Sequence, residues 1–297
     1  QLKQGPQPWE YRSKPAWQRF IIIMGGVIVN FFLAWIIYIF LFLNHGDNFV
    51  DNSKITHGIA VDSVGKLLGL RNGDKILKVD GKPQTKFDQL PLEILFGDNI
   101  TVEREGAEVT FDLSDEGKRD VIKRAGKNFL SAREEIIIDS IVPGRPADIA
   151  GLKKGDKIVG LDGIHINYFD EFATVIQLHK NDSIDLDVIR NKEPLVIRAR
   201  VTEDSKLGFL NHFHTLEDAF VTKELSFSEA IPAGFNKTIS TLTGQIKQFK
   251  IIFNSKTEAY KQVSGPLRMF KIFKPEWDWT FFWSFTAMFS VWLAFLN

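Results

Sequence analysis

The chain contains the segment GLRNGDKILKVDG at residues 69–81 and a second segment, GLKKGDKIVGLDG, at residues 151–163. Eight of the thirteen aligned positions are identical and no gap is needed, so we interpret the two segments as copies of one structural unit. Gly73 and Gly155 precede the shared Asp and permit a turn at positive φ, while the Asp can accept hydrogen bonds from nearby backbone N–H groups. The Asp-Gly pair that ends each copy predicts another tight turn.

Each copy continues with a helix candidate and two strands of alternating polarity. The strands are predicted at 100–104, 108–113, 183–190 and 195–201. Asn191-Lys192 predicts the turn between the last two strands. Pro91 lies inside the helix candidate at 87–96, which predicts a short or kinked helix. The sequence therefore predicts two related domains, at 54–115 and 133–203.

The composition excludes several classes of protein. The 297 residues include 37 Lys plus Arg and 37 Asp plus Glu, which argues against a general nucleic-acid binder because such a protein needs excess positive charge. The absence of Cys excludes disulfides, a thiolate zinc site and a Cys nucleophile. The mean hydropathy of −0.08 is that of a soluble protein, yet the apolar residues are concentrated near the two ends.

Two uncharged runs predict transmembrane helices, at 20–43 and 280–297. The first run has 24 residues, enough to cross a hydrocarbon core of about 30 Å as a helix. The Lys and Arg residues of segment 1–19 predict that this segment is cytoplasmic, which puts the repeats across the membrane, in the periplasm of a bacterium. Because the chain begins with Gln1 and ends within an apolar run, we expect it to be an internal piece of a larger multi-pass protein.

A long helix is predicted at 226–255, between the second copy and the last span. Ser226 and Glu229 have the spacing of a capping box. Apolar residues then recur every three or four positions among Lys residues, which is typical of an amphipathic helix at a membrane surface. Packing of this helix against the two copies is the alternative.

The repeat resembles the PDZ domain in the circularly permuted form found in bacterial proteases. The second copy carries the resemblance best, with a strand at 136–142 followed by PGRPADIAGLKKGDKI at 143–158, whereas the first copy has an eroded elbow at 61–65. The resemblance implies that a peptide adds to a strand edge in each copy. The implied groove strands are formed by Gly58, Ile59, Ala60 and Val61, and by Ile136, Ile137, Ile138, Asp139 and Ser140. Alternatively the grooves are empty and the domains are spacers.

Tandem PDZ domains between membrane spans resemble the site-two protease family of intramembrane zinc metalloproteases, in its RseP-type branch. Further matches are RSKPAWQR at 12–19, GGVIVN at 25–30, Ser264-Gly265-Pro266 and FLN at 295–297; Val27 departs from a position where the family often has Pro. The implied fold is a multi-domain membrane protein in which transmembrane helices flank two α+β PDZ domains, each a partly open β-barrel, with an additional amphipathic helix.

The resemblance also implies which site residues the chain holds and lacks. The HExxH and NxxPxPxLDGG motifs that carry the family's zinc ligands are absent from this sequence, so we expect the ligands outside this chain and the fragment alone to be inactive. His212 and His214 have no evident third ligand and are interpreted as surface residues. Asn30 and Asn297, with Gly26 beside Asn30 on one helix face, are expected to bind the substrate backbone; helix packing is the alternative for Asn30 and Gly26.

The function implied for the full-length protein is cleavage of single-span membrane proteins within the bilayer, after a first cut. Such substrates include an anti-sigma factor or signal-peptide remnants, and the periplasmic PDZ pair would filter them. The expected cofactor is Zn²⁺, the expected partners are these substrates, lipids and peptide C-termini, and the expected location is the bacterial inner membrane. The alternative is a membrane-tethered PDZ adaptor or chaperone without catalysis.

Overall fold

The computed structural model describes residues 7, 9–124, 129–253, 259–262 and 276–296. The chain forms two compact bodies. The helical body comprises Gln1–Asn48 and Val221–Asn297, and the repeat body comprises Phe49–Phe220.

The regular elements of the described residues are numbered in chain order. Helices α1 to α9 are Ala16–His45, Ser63–Leu67, Leu90–Phe96, Asp115–Lys123, Pro146–Ile149, Phe169–Val175, His214–Ala219, Phe227–Phe253 and Trp279–Leu296. Strands β1 to β14 are Asp47–Val50, Ile59–Val61, Lys75–Val79, Lys82–Pro83, Asn99–Arg104, Ala107–Asp112, Leu130–Ala132, Ile138–Ile141, Lys157–Leu161, Ile164–His165, Ser183–Arg190, Glu193–Arg200, Phe209–Asn211 and Phe220–Lys223.

Helices α1 and α9 of the helical body contain the two predicted apolar runs. Both are long and apolar enough to cross a membrane. Only 11% and 17% of the residues in their most apolar stretches are buried within the protein, whereas the core helix of a soluble protein would be mostly buried. These two helices therefore have the length, composition and exposure of membrane-spanning segments.

Small side chains let α1 and α9 pack closely in antiparallel directions. Ala34 of α1 and Ala287 of α9 are fully buried in a shared cluster. The Ser290 hydroxyl donates a 2.9 Å hydrogen bond to the backbone carbonyl of Asn30, and at the other end Thr280 Oγ1 lies 3.0 Å from His45 Nε2. Small residues and interhelical hydrogen bonds of this kind hold helices together in an apolar solvent.

Helix α8 is the predicted amphipathic helix, and it packs against α1; its position at a membrane surface stays a prediction. The Ser226–Glu229 cap is present, with the Glu229 carboxylate accepting from the Ser226 N–H at 3.0 Å. The helix then packs against the apolar segment of α1, where the Trp35 indole donates to the Ile231 carbonyl at 2.9 Å. A Cβ on Gly234 would meet the Ile39 side chain at 2.9 Å, so the glycine permits this close approach.

The two copies in the repeat body have sheets of the same topology. The strand order is β4-β3-β5-β6 in the first copy and β10-β9-β11-β12 in the second, with antiparallel pairing between neighbours. Each sheet covers its own apolar core, represented by Ile76 in the first copy and Ile158 in the second, which are 2% and 0% exposed. The repeated sequence therefore folds into a repeated structure.

The local turn predictions agree with the backbone. Gly73 and Gly155 have φ values of 88° and 87°, a backbone conformation that residues with a Cβ rarely adopt. Asn191 and Lys192 also have positive φ, as a two-residue hairpin turn requires. Pro91 lies in the first turn of α3, where its missing N–H breaks no helical hydrogen bond; the helix has seven residues, as α6 has in the second copy.

Each copy is closed by a strand that lies beyond its predicted range. Strand β7 returns to pair with β2, and β13 returns to pair with β8. The predicted ranges 54–115 and 133–203 end before these strands. Both strands have only three residues, too few to show a recognisable alternation in the sequence.

Candidate functional site

Neither predicted groove strand has a free edge. In the first copy, Ile59 N–H donates to the Asp74 carbonyl at 2.9 Å, and the opposite edge of β2 pairs with β7. In the second copy, Ile138 N–H donates to the Asp156 carbonyl at 2.9 Å, and the opposite edge of β8 pairs with β13. A peptide that adds to Gly58–Val61 or Ile136–Ser140 would therefore have to displace these pairs, because the backbone groups of Ile59 and Ile138 already have partners.

Strand β13 is one of the edge strands of the second copy, with one neighbour among the described strands. A cleft of about 430 Å³ lies between β13 and α6. Its buried wall is formed by Phe172, Ile176 and Leu207, each 4% exposed or less, and Lys180 and Lys206 also line it. We call it the α6 cleft; an apolar wall beside an unpaired strand edge suits an extended peptide with apolar side chains.

The loop before β13 can bind an anion at one end of the α6 cleft. No hydrogen bond from the N–H of Leu207 or Gly208 occurs among the described residues. Gly208 has φ of 87°, and a Cβ there would clash with the Arg145 side chain. Hydrogen bonds from Lys206 and Thr202 lower the pKa of the Asp204 carboxyl to about 2. Adjacent free N–H groups in a turn favour a carboxylate.

The sequence reasoning missed this edge and its loop. The available signal was the Leu207-Gly208-Phe209 triplet, in which a glycine separates two apolar residues directly after a polar loop. The glycine indicates a turn, and the apolar residue after it indicates the start of a strand.

A cluster centred on Arg133 joins the α6 cleft to the first copy within the repeat body. Arg133 follows β7, and its guanidinium contacts Asp170 at 3.1 Å and Glu171 at 2.7 Å, both on the first turn of α6. It also lies over the Tyr168 ring, 4.1 Å from the centroid. Asn72 of the first copy donates to Asp170 at 2.6 Å. These contacts fix the start of α6 relative to β7.

Replacing Arg133 by Met should separate the two copies while leaving each folded. Asp170 has a side-chain exposure of only 12%, and removing one partner of such an ion pair costs about 3–5 kcal/mol. All seven Trp lie outside the repeat body, so hydrogen exchange of peptides covering β7 and α6, measured on the full chain in detergent, is the suitable readout. Arg198→Met is the control, because its pair with Asp185 is exposed; equal exchange in both variants would contradict the prediction.

The predicted substrate-binding residues lie on α1 or outside the described residues. Gly26 is exposed and Asn30 is half-buried, and the Asn30 carbonyl accepts the hydrogen bond from Ser290. That contact uses the backbone carbonyl, which any residue at this position would offer, so both substrate binding and helix packing by the Asn30 amide stay predictions. Asn297 and the Ser264-Gly265-Pro266 motif lie outside the described residues.

The described residues do not fit a zinc ion. They contain no group of three His, Asp or Glu side chains placed to hold a metal. His212 and His214 stack with ring centroids 5.7 Å apart, and His214 Nδ1 is 3.5 Å from Glu134 Oε2. The His214–Glu134 contact lies inside the repeat body, where the carboxylate also accepts hydrogen bonds from Thr215, so these groups have a structural explanation.

The two bodies define a class of protein: a duplicated α+β unit joined to helices long and apolar enough to span a membrane. The chain belongs to peptidase family M50, whose profile matches residues 2–297. This match confirms the resemblance to the site-two proteases that the motifs indicate.

The relatives that match this chain are named as proteases or zinc metalloproteases. A putative zinc metalloprotease of Borreliella burgdorferi is 24% identical over 255 residues, covering 84% of this chain and 56% of the relative. The regulator of sigma-E protease RseP of Escherichia coli is 25% identical over 198 residues, covering 62% of this chain and 43% of RseP. The chain thus spans about half the length of the curated relatives it matches.

Solved structures similar to this chain include PDZ domains from two Listeria species. The PDZ domain of an SdrC-like protein from Listeria monocytogenes is 19% identical with a TM-score of 0.24, covering 26% of this chain and 86% of that domain. The corresponding domain from Listeria innocua is 23% identical with a TM-score of 0.25, covering 27% of this chain and 97% of that domain.

Proposed function

We propose that the full-length protein is an intramembrane zinc endopeptidase of the bacterial inner membrane, and that this chain supplies part of its membrane helices and its substrate filter. The family match over residues 2–297 carries this proposal. Its substrates would be single-span membrane proteins already shortened by a first cut, such as an anti-sigma factor or signal-peptide remnants. The zinc ligands would lie outside these 297 residues, because the sequence contains no HExxH motif.

The two copies act in this proposal as tandem PDZ domains on the periplasmic side. The α6 cleft offers an unpaired strand edge, an apolar wall and a loop with free N–H groups. A peptide C-terminus can satisfy all three, with its backbone on β13, an apolar side chain against Phe172 and Ile176, and its carboxylate at Leu207 and Gly208. A new C-terminus produced by a first cut is such a ligand.

In this proposal, helices α1 and α9 form part of the apolar environment in which the substrate is cleaved. A transmembrane substrate hides its scissile carbonyl in helical hydrogen bonds, so the protease has to supply other donors and acceptors to an unwound segment. Asn30 and Asn297 are the proposed donors and acceptors in this chain. The packing of small residues around Ala34 and Ala287 would keep α1 and α9 close together while the substrate replaces its helical hydrogen bonds with bonds to the protease.

The test is cleavage by the full-length protein in proteoliposomes. A single-span substrate whose ectodomain has been removed should be cut within its span, cleavage should stop on addition of 1,10-phenanthroline, and Zn²⁺ should restore it. The chain lacks Cys, so thiol reagents should have no effect through these residues. Failure to cut while the α6 cleft still binds C-terminal peptides would instead establish the non-catalytic adaptor.

A further inference from the structure

A second cavity, of about 370 Å³, lies between the two copies beside the edge strand β7. Its lining includes Leu130 and Ser131 of β7, Glu134 after that strand, and Phe169 and Phe213 of the second copy. We call it the β7 cavity. Strand β7 has one neighbour among the described strands, as β13 does, so an extended chain can also run beside it.

Three aromatic rings connect the α6 cleft to the β7 cavity. Phe169 lines both spaces. Its ring centroid is 6.3 Å from that of Phe172 in the α6 cleft and 6.1 Å from that of Phe213 in the β7 cavity. Phe213 is 53% exposed although it is a large apolar side chain. The two spaces are therefore neighbouring parts of one apolar surface.

The direction of a bound peptide follows from the loop before β13. With its carboxylate at Leu207 and Gly208, the peptide runs along β13 towards Asn211 and then past Phe213. An extended chain advances about 3.3 Å per residue, so roughly the fourth to sixth residue before the C-terminus reaches the β7 cavity. A peptide that ends within the α6 cleft thus places an upstream side chain against the first copy.

The β7 cavity favours a cation. Its described lining contains the carboxylates of Asp62, Glu134 and Asp170 and no Lys or Arg. Asp62 and Asp170 are paired with arginines outside the lining, Arg124 and Arg133. Glu134 is only 4% exposed, and its Oε1 has no hydrogen-bond partner among the described residues. An unpartnered buried carboxylate oxygen is costly and gains from a charged donor.

We propose that the tandem holds one continuous peptide: its C-terminus lies in the α6 cleft, and an Arg or Lys about four to six residues upstream occupies the β7 cavity next to Glu134. This inference rests on the proposed peptide binding at the α6 cleft. It makes the first copy a selector of an upstream basic residue. An apolar stem with a charged end matches a cavity that combines phenylalanine rings with a carboxylate.

The test uses a displayed library of random peptides about ten residues long with free C-termini, selected on the full chain in detergent micelles. Selection should enrich apolar residues at the C-terminus and Arg or Lys four to six positions upstream. Ser131→Trp, which fills the β7 cavity, should abolish only the upstream enrichment, whereas Ala173→Trp in the α6 cleft should abolish both. The exposed Ser183→Trp on β11 is the matched control and should change neither.

Glu134→Gln separates charge from shape, because it keeps the side-chain volume and removes the charge. A synthetic peptide of the enriched sequence should bind this variant roughly tenfold more weakly, and replacing its basic residue by Ala should then have no further effect.

The library selection can contradict the proposal in several ways. Enrichment confined to the last positions, or upstream enrichment that survives Ser131→Trp, would overturn the second site but not peptide binding at the α6 cleft. No enrichment at all would overturn the cleft itself. A change in oligomeric mass caused by Ser131→Trp would identify the cavity as a contact between chains and also overturn the proposal.

Discussion

Replacing Ile158 by Asp should allow the full-length protein to cleave a substrate that still carries its ectodomain. Ile158 is 0% exposed and lies in the core of the second copy. A carboxylate at this position would be buried without a partner, which costs several kcal/mol and unfolds the copy. If the folded copies exclude bulky substrates, loss of one copy removes the exclusion.

The same variant should cleave the pre-trimmed substrate about as well as the unaltered protein does. This second measurement separates filtering from presentation. If the α6 cleft has to hold a new C-terminus before cleavage, unfolding the copy destroys the cleft and reduces cleavage of the trimmed substrate. Reduced cleavage of the trimmed substrate, without increased cleavage of the intact substrate, would therefore reject the filter.

Ile164→Asp is the matched control for Ile158→Asp. Ile164 belongs to the same copy and is 51% exposed, so its replacement puts the new carboxylate in water. Both substrates should be cleaved as by the unaltered protein. Membrane insertion and protein level, measured for each variant in the same preparation, exclude an indirect effect of expression.

The features that the sequence predicted depend on residues close together along the chain. The positive φ of Gly73 and Gly155, and the acceptance of nearby backbone N–H groups by Asp74 and Asp156, are decided within a few positions of the repeat. The apolar runs at 20–43 and 280–297 are likewise continuous, so helices are expected there without knowledge of any partner.

The features that it missed depend on partners distant in the sequence. Strand β13 becomes an edge because it pairs with β8, about seventy positions earlier in the chain, and three residues carry no periodic signal of their own. Helix α8 packs on α1 because Gly234 admits Ile39, a contact between residues almost two hundred positions apart. An amphipathic pattern predicts that the apolar face of a helix is covered, but only the tertiary structure shows which element covers it.

The buried ion pair of each copy is the other feature that only the structure could reveal. Asp156 is 0% exposed and accepts two 2.7 Å hydrogen bonds from Arg190, at the end of β11. Asp74 accepts the equivalent two from Arg104, also at 2.7 Å. Because the partner arginine lies outside the repeated segment, the repeat alone indicates only the backbone contact of the Asp.

Replacing Asp156 by Ala should therefore unfold the second copy selectively. The change leaves the Arg190 guanidinium without its carboxylate and the Lys153 N–H without its 2.8 Å acceptor, for a cost of about 3–5 kcal/mol. Hydrogen exchange on the full chain should show loss of protection in β9 and β11 but not in β3 and β5. Asp74→Ala is the matched variant and should show the reverse; loss of protection in both copies with either change would contradict independent folding of the two cores.

The same ion pair predicts that acid weakens the second copy. Burial would raise the pKa of Asp156, but the hydrogen bonds from Arg190 and the Lys153 N–H, with the guanidinium charge, hold it below its ordinary value. A depressed pKa in the folded state contributes stability that is present above the unfolded value of about 4 and is lost as pH falls through the folded value. Exchange protection in β9 and β11 should therefore fall below about pH 4, and the Asp156→Asn variant, which cannot ionise here, should show a smaller acid dependence in these strands. An unchanged acid dependence in Asp156→Asn would assign the effect to other carboxylates.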